Sequence, residues 1–489
     1  MFQKPSLQAS GMVVSLPLVW AVLAVLLAIR LAAIGMSPLG PGVDEAQYWL
    51  WGQTPQLGYY SKPPLIAWIL SLTDSLFSAQ IIGLRITAPL AHFLIALILW
   101  QTGALLFSAA TGRLAAILWA SLPSVGLGSF VMSTDTPMLF FWCAGLFCFV
   151  KAMGSNRAEY GWMVCSGICI GLSALAKYAG LYFIAGVLLW VLSDGSRPGR
   201  RRAGLFFTFV VMVFATSLPT WLWNISNGFI TILHLGENAN LQDSQMSLAG
   251  VGAFWAAQFG VFGPVALILL VFSLATVFRG GAAGRLHLFV WPVLAIMTVQ
   301  AFLKEANANW AVAAYPAATL LVSQFVVSSR RAFINRLGGA AVLVNLVICG
   351  GFIAASAVGS LGPLAPASDP FRHLKGWRVL ADQTANAAQA AGAKTIIAYD
   401  RESAALLRWH LHDTELAIVL PRLGPGAGNH YHRRYPLTPS AERPLLALTE
   451  SQTPPSHLPV DADWQGPVAA SEVRISKQDN RRVWVWRAD

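Results

Sequence analysis

Apolar runs of about twenty residues recur along most of the chain, and a helix of that length matches the hydrocarbon core of a bilayer. Eleven such runs predict membrane-spanning helices over residues 12–34, 81–107, 114–131, 136–153, 160–176, 178–193, 203–223, 251–278, 286–303, 310–327 and 337–358. The first is longer than the apolar core of a signal peptide and reads as a retained helix. The pair in the region 160–193 is short and nearly continuous. After Gly359 the pattern changes. Gly362-Pro363-Leu364-Ala365-Pro366 reads as a linker, and the remainder is polar and mixed in charge. There, residues 395–399, 445–448 and 483–486 read as strands and 404–409 as a helix. The expected architecture is a polytopic α-helical membrane domain over 1–360 and a small soluble α/β domain over 361–489.

One stretch fits neither pattern. Residues 38–80 are too polar at their start to span a bilayer and too long for a tight turn. Trp49, Leu50, Trp51, Leu65, Ile66, Trp68, Ile69 and Leu72 give it the amphipathic character of short juxtamembrane helices lying on the interface. Pro63-Pro64 stops any helix begun before Lys62.

Composition agrees with a membrane protein: the 489 residues are 56% hydrophobic and only 11% charged, against about a quarter charged in a soluble domain. The net charge of +11 therefore reports topology and not nucleic-acid binding, because the basic residues cluster in short loops. With the amino terminus in the cytoplasm, the inner loops hold Lys4, Arg113, Lys151, Arg157, Arg197, Arg200, Arg201, Arg202, Arg279, Arg285, Arg330, Arg331 and Arg336. The outer side holds only Arg30, Lys62, Arg85, Lys177 and Lys304. Acids run the other way. Asp44, Glu45, Asp74, Asp135, Glu237, Asp243 and Glu305 fall outside, and Glu159 and Asp194 inside. An odd number of spans puts the carboxy-terminal domain on the outer side and an even number would put it inside, so its side depends on the parity of the count. All five cysteines lie in apolar runs; Cys165 and Cys169 share a helical face and read as buried thiols rather than a metal pair.

The outer side thus collects both kinds of group that glycosyl transfer from a phosphate requires. Asp44, Glu45 and Asp135 are carboxylates able to take a proton from a hydroxyl. Lys62, Arg85 and Lys177 are cations able to neutralise a departing phosphate. Each has a plainer reading. Asp44-Glu45 can be a solvated loop, Lys62 and Arg85 can reach for lipid head groups, and Asp135 can cap the helix begun at Thr136-Pro137. Lys177 is harder to explain away, since it interrupts a long apolar stretch. His234 and Glu237 supply two metal-ligand types, a weak signal that competes with simple hydrogen bonding. Lys304-Glu305-Ala306-Asn307-Ala308-Asn309-Trp310 either lines an acceptor groove or ends two helices.

Taken together, Asp44-Glu45, Tyr59-Tyr60-Ser61-Lys62-Pro63-Pro64, Leu84-Arg85, Ser133-Thr134-Asp135-Thr136-Pro137, Ala308-Asn309-Trp310 and Ala314-Tyr315-Pro316 resemble the bacterial dolichyl-phosphate-mannose-protein mannosyltransferase-like enzymes. These form glycosyltransferase family 39, with the GT-C fold, and are similar also to the lipid A aminoarabinose transferases. The resemblance reaches to about residue 330. It implies a GT-C bundle and an inverting transfer of a sugar from a polyprenyl-phosphate donor on the periplasmic side. Asp44 would be the base, Glu45 its support, and Asp135 a second active-site carboxylate. Lys62, Arg85 and Lys177 would bind the donor phosphate, and Tyr59, Tyr60, His234, Glu237, Asn309 and Tyr315 would line the substrate pocket. The aminoarabinose transferases carry a glutamate before the lysine of the matching motif, where it can bind a metal. Ser61 stands there in this chain, so no metal or other cofactor is expected, with His234 and Glu237 the only candidate ligands.

The implied partners are the lipid-linked donor, membrane lipid, and an acceptor that is a glycolipid such as lipid A or core sugar, or alternatively a protein. Nucleic acid is not among them. A lipid-linked sugar transporter or flippase is the rival of another class. It predicts charges at the midplane and repeated halves, and the sequence shows neither.

Overall fold

The computed structural model describes residues 14–155, 157–239, 246–362, 369–422, 428–456, 458–475 and 480–489. Two compact units divide the chain. The first comprises 1–34, 62–66 and 85–354; the second comprises 35–61, 67–84 and 355–489.

Among the described residues eight helices are long and apolar enough to cross a membrane: Leu16–Met36, Ile81–Leu106, Asp135–Gly154, Glu159–Ala176, Gly199–Ser226, Gly281–Leu303, Ala308–Ser328 and Ala332–Val358. A ninth is formed if the broken pair Leu248–Phe262 and Pro264–Val277, bent by 106°, counts as one. This corrects the expected eleven, and the causes are local. The run 114–131 is interrupted at Leu122-Pro123 into Ala109–Ser121 and Pro123–Gly128. The run 178–193 opens with a 3-10 turn, Tyr178–Leu181, and leaves an α-helix of 12 residues, Tyr182–Ser193. The break in 251–278 falls at Gly263, whose φ of +93° suits glycine alone, with Pro264 opening the next helix.

Within the first unit, small residues let helices approach closely, as expected where lipid removes the hydrophobic drive for helix association. A Cβ on Gly171 would lie 2.5 Å from the Cβ of Thr216, and one on Gly145 would lie 2.6 Å from Ile170. Ser166 and Ser173 donate to the carbonyls of Gly145 and Met138, each at 2.9 Å. Helices 135–154 and 159–176 are thereby locked as an antiparallel hairpin. Beside it, Trp142, Phe149, Phe183, Trp190 and Phe289 form a buried aromatic cluster, with Trp142 and Phe183 edge-on at 4.9 Å and Phe149 and Trp190 at 5.2 Å. The two acids expected on the inner side are both neutralised. Glu159 pairs with Arg197 and Arg201, and Asp194 pairs with Arg197 at 2.6 Å and Arg285 at 3.6 Å.

The second unit is built on a five-stranded sheet: β1 Thr395–Ile397, β2 Ala417–Val419, β3 Leu445–Thr449, β4 Gln465–Arg474 and β5 Asn480–Ala488, in the order β2-β1-β3-β5-β4. β1 is parallel to β2 and β3, whereas β5 is antiparallel to β3 and β4. Ile397, Leu445, Ala447 and Trp486 form a core on one face. Helices Trp377–Ala391 and Arg401–His410 accompany the sheet. The second is capped by Asp400, whose carboxylate accepts from the Ser403 amide at 2.7 Å.

The polar stretch 38–80 contains the helices Val43–Gly52 and Leu65–Phe77. The first packs within the second unit, with Trp49 edge-on to Trp409 at 4.8 Å.

Candidate functional site

In the first unit the antiparallel hairpin decides the geometry. Asp135 opens one helix and Lys177 closes the next, so locking the pair brings them to the same end. The Lys177 ammonium donates to Asp135 Oδ1 at 2.6 Å, and Asn309 Nδ2 donates to Oδ2 at 2.8 Å. Three segments, distant in sequence, therefore meet on one carboxylate. The pair is largely shielded, with the Lys177 and Asp135 side chains 19% and 14% exposed. Asp135 lies at the helix start, as the capping alternative supposed, but its side chain is spent on Lys177 and Asn309; the N-cap residue is Thr134. Tyr178, next to Lys177, meets Thr220 at 3.1 Å and accepts from Asn224 at 3.0 Å, which fixes the turn between the hairpin and helix Gly199–Ser226.

Arg85 is fully buried, its guanidinium 4.6 Å from the ring centroid of Phe130. A buried arginine cannot be reaching for lipid head groups, so that plainer reading fails for it. Thr87 donates to Met132 Sδ at 3.4 Å. The loop that leads into Asp135 thus lies along the start of the helix after Arg85. Lys62 is half-buried in this unit. Tyr315 is buried, stacked on Phe262 at 4.5 Å with its hydroxyl donated to Gln258. His234 lies half-buried on helix Ile230–Ala239; the side chain of Glu237 falls outside the described residues. Among the described residues no three His, Cys, Asp or Glu side chains gather as a metal site.

The second unit holds the adjacent acids, and their environments differ. Glu45 is completely buried and accepts from the Gly42 amide at 2.9 Å, tying down the start of helix Val43–Gly52. Asp44 points the other way. Its side chain is 63% exposed and is gripped by Arg401, the first residue of helix Arg401–His410. The Arg401 Nε also donates to Gln47 Oε1 at 2.8 Å. Burial alone would lower the Arg401 pKa; the Asp44 carboxylate outweighs it and holds the guanidinium above its ordinary value.

Tyr59 is buried, lies flat on Trp51 at 4.6 Å, and donates to the Trp51 carbonyl at 2.9 Å. Burial raises its pKa to about 12, slightly countered by a hydrogen bond from the Gln56 amide. Tyr60 donates to the Gly428 carbonyl at 2.6 Å. Asp74 is committed to structure, accepting from Trp49 Nε1 at 2.7 Å, Gln53 at 3.0 Å and the Ala79 amide at 2.8 Å.

Arg401 is the residue that sequence reading missed. It lies in a soluble-looking stretch with nothing to mark it, 357 residues from the carboxylate it holds.

The fold, a polytopic helical bundle with a small mixed sheet, is shared with solved membrane proteins. The chain aligns over 97% of its length, and over 98% of the other, with the crystal structure of ArnT from Cupriavidus metallidurans bound to undecaprenyl phosphate, at a TM-score of 0.67 and 15% identity. It aligns less completely with the archaeal oligosaccharyltransferase AglB from Archaeoglobus fulgidus, at a TM-score of 0.53 and 13% identity over 81% of this chain and 64% of that one. Residues 61–223 match the family model described as dolichyl-phosphate-mannose-protein mannosyltransferase, in agreement with the resemblance carried by the motifs. Among curated proteins, the lipid A galacturonosyltransferase RgtD of Rhizobium johnstonii is 35% identical over 284 residues. That alignment covers 57% of this chain and 59% of RgtD.

Proposed function

We propose that this protein transfers a sugar, with inversion, from a polyprenyl-phosphate donor to a lipid A-type glycolipid on the periplasmic face of a bacterial inner membrane. The observation that carries this reading is the 35% identity to a lipid A galacturonosyltransferase. It is supported by the fold shared with a protein crystallised with undecaprenyl phosphate. A hexuronic acid such as galacturonic acid is accordingly the first donor sugar to test.

The chemistry is a single displacement. The acceptor hydroxyl gives its proton to the Asp44 carboxylate, its oxygen bonds to the anomeric carbon, and the bond from that carbon to the phosphate oxygen breaks. Polyprenyl phosphate departs as an anion that needs little protonation. The protein has to orient two substrates, accept one proton and stabilise one departing charge. Asp44 is the base because its carboxylate is accessible while Glu45 is buried as a helix anchor. Arg85, Lys62 and Lys177 receive the phosphate charge. Asp135 and Asn309 hold Lys177 in place for that role. Ser61 takes the place of a metal-binding glutamate, so transfer proceeds without a divalent ion and chelation leaves the rate unchanged.

The test is direct. Purified protein in lipid nanodiscs receives undecaprenyl-phosphate galacturonic acid and lipid A, and mass spectrometry reads the acceptor. A mass increase of one hexuronic acid per acceptor is expected. Modified envelope protein with unmodified lipid A would redirect the reading to protein O-glycosylation. Movement of intact lipid-linked sugar across the bilayer without transfer would replace it with a flippase.

A further inference from the structure

Arg401 stands where the fold gains little from it. It is the first residue of helix Arg401–His410, and a cation in the first turn of a helix opposes the macrodipole. Its partner Asp44 is exposed, and an exposed ion pair adds little to stability. A residue that breaks a local rule without a structural gain points to function. Its geometry is nonetheless closely set. Asp44 and Gln47 lie one turn apart on helix Val43–Gly52 and share a face. Arg401 Nη2 donates to Asp44 Oδ1, and Nε donates to Gln47 Oε1 at 2.8 Å. A planar guanidinium that spans two acceptors fixes the direction of both. The two helices are themselves anchored within the second unit. Glu45 accepts from the Gly42 amide at 2.9 Å, Asp400 from the Ser403 amide at 2.7 Å, and Trp49 meets Trp409 edge-on at 4.8 Å. Among the described residues the bond to Asp44 falls on Oδ1, and Oδ2 stays available to a hydroxyl.

We infer that Arg401 is a positioning residue for the proposed base, holding Asp44 by Oδ1 so that Oδ2 is presented to the acceptor hydroxyl. The inference rests on the glycosyltransferase reading and adds to it a working part drawn from the sheet-bearing carboxy-terminal region. Arg401 acts through Asp44 and touches neither substrate, so its loss weighs on the chemical step and not on binding. Orientation of this kind matters because a misplacement of about 1 Å can cost about a hundredfold in rate. Gln47 belongs to the same device, since it holds the second edge of the guanidinium.

The experiment uses the full chain in lipid nanodiscs, with undecaprenyl-phosphate galacturonic acid and lipid A as substrates. Arg401→Gln should lower kcat by about ten- to a hundredfold, with KM for donor and acceptor within about twofold. Arg401→Lys should recover only part of the loss, because an ammonium can pair with Asp44 without spanning Gln47. Gln47→Leu keeps the charge pair and removes the second anchor, so it should lower kcat by less and again leave KM alone. In an Asp44→Asn background neither change should cost anything further. A normal kcat in Arg401→Gln overturns the inference and leaves the glycosyltransferase reading standing. A raised acceptor KM at normal kcat does the same by making Arg401 a substrate contact, and full additivity with Asp44→Asn does so by showing that it does not act through the base. Should Arg401→Gln fail to fold, Gln47→Leu carries the test, and a normal kcat there is the overturning result. Should the wild type transfer no sugar, the glycosyltransferase reading fails, and carbodiimide labelling of Asp44 followed by mass spectrometry judges the clamp alone. Labelling several-fold faster in Arg401→Gln or Gln47→Leu supports it, and equal labelling overturns it.

Discussion

Replacing Asp44 by asparagine separates chemistry from folding, because the structure makes the two effects very unequal. The Asp44 and Arg401 side chains are 63% and 41% exposed, so their ion pair is screened by water and is worth about 0.2–1 kcal/mol. Asparagine keeps the shape and can still accept one hydrogen bond from Arg401, which also retains Gln47. The stability loss should therefore stay below about 1 kcal/mol. Removing a general base instead slows transfer by about 10²–10⁴-fold, equivalent to about 3–5 kcal/mol of barrier. Initial rates of transfer from a polyprenyl-phosphate sugar to lipid A, measured beside thermal unfolding in the same nanodiscs, read both quantities. The expected result is a rate at least about a hundredfold lower with near-normal unfolding and unaltered donor binding. A variant that keeps its rate removes Asp44 as the base. One that loses rate and more than about 2 kcal/mol of stability together would show that the Arg401 contact is a structural clamp, contrary to the screening argument.

Lys177→Met leaves the shielded Asp135 carboxylate with Asn309 alone. A pair 19% and 14% exposed sits between the exposed and fully buried limits, so the loss should be about 2 kcal/mol, read by thermal unfolding, with part of it restored when Asp135→Asn is added. Gly263→Ala places a Cβ 1.8 Å from the Asn345 Oδ1 at a φ of +93°. The unfolding temperature should drop by the equivalent of at least about 2 kcal/mol, and an unchanged value would deny the bend at this residue. His410 and His430 are both held at about 4, first by burial and then by nearby arginines. An unfolded chain binds those protons near 6.5, so it carries more protons than the fold between about 4 and 6.5. Stability contributed by these neutral imidazoles is present above that window and lost as pH falls through it. Unfolding temperatures followed across the window should decline, and His430→Gln should flatten the decline.

The linear order of residues was enough to reveal a membrane protein, a polar insert at 38–80, a strand-containing carboxy-terminal region, and motifs that resemble those of a glycosyltransferase family. These are legible because they are properties of local composition: a run of apolar side chains has to leave water, and each short motif carries its own spacing. The number of long helices was not legible in the same way. Leu122-Pro123 and Gly263-Pro264 interrupt helices without interrupting hydrophobicity, so a hydropathy pattern runs straight over both breaks. Which partner holds which charge was a matter for tertiary structure alone. Asp135 meets Lys177 and Asn309 because glycine-lined helices close into a hairpin, and Asp44 meets Arg401 because helix Val43–Gly52 packs in the unit of the distant sheet. Contacts between segments that far apart come from the packing of whole surfaces, and no short stretch of the chain encodes them.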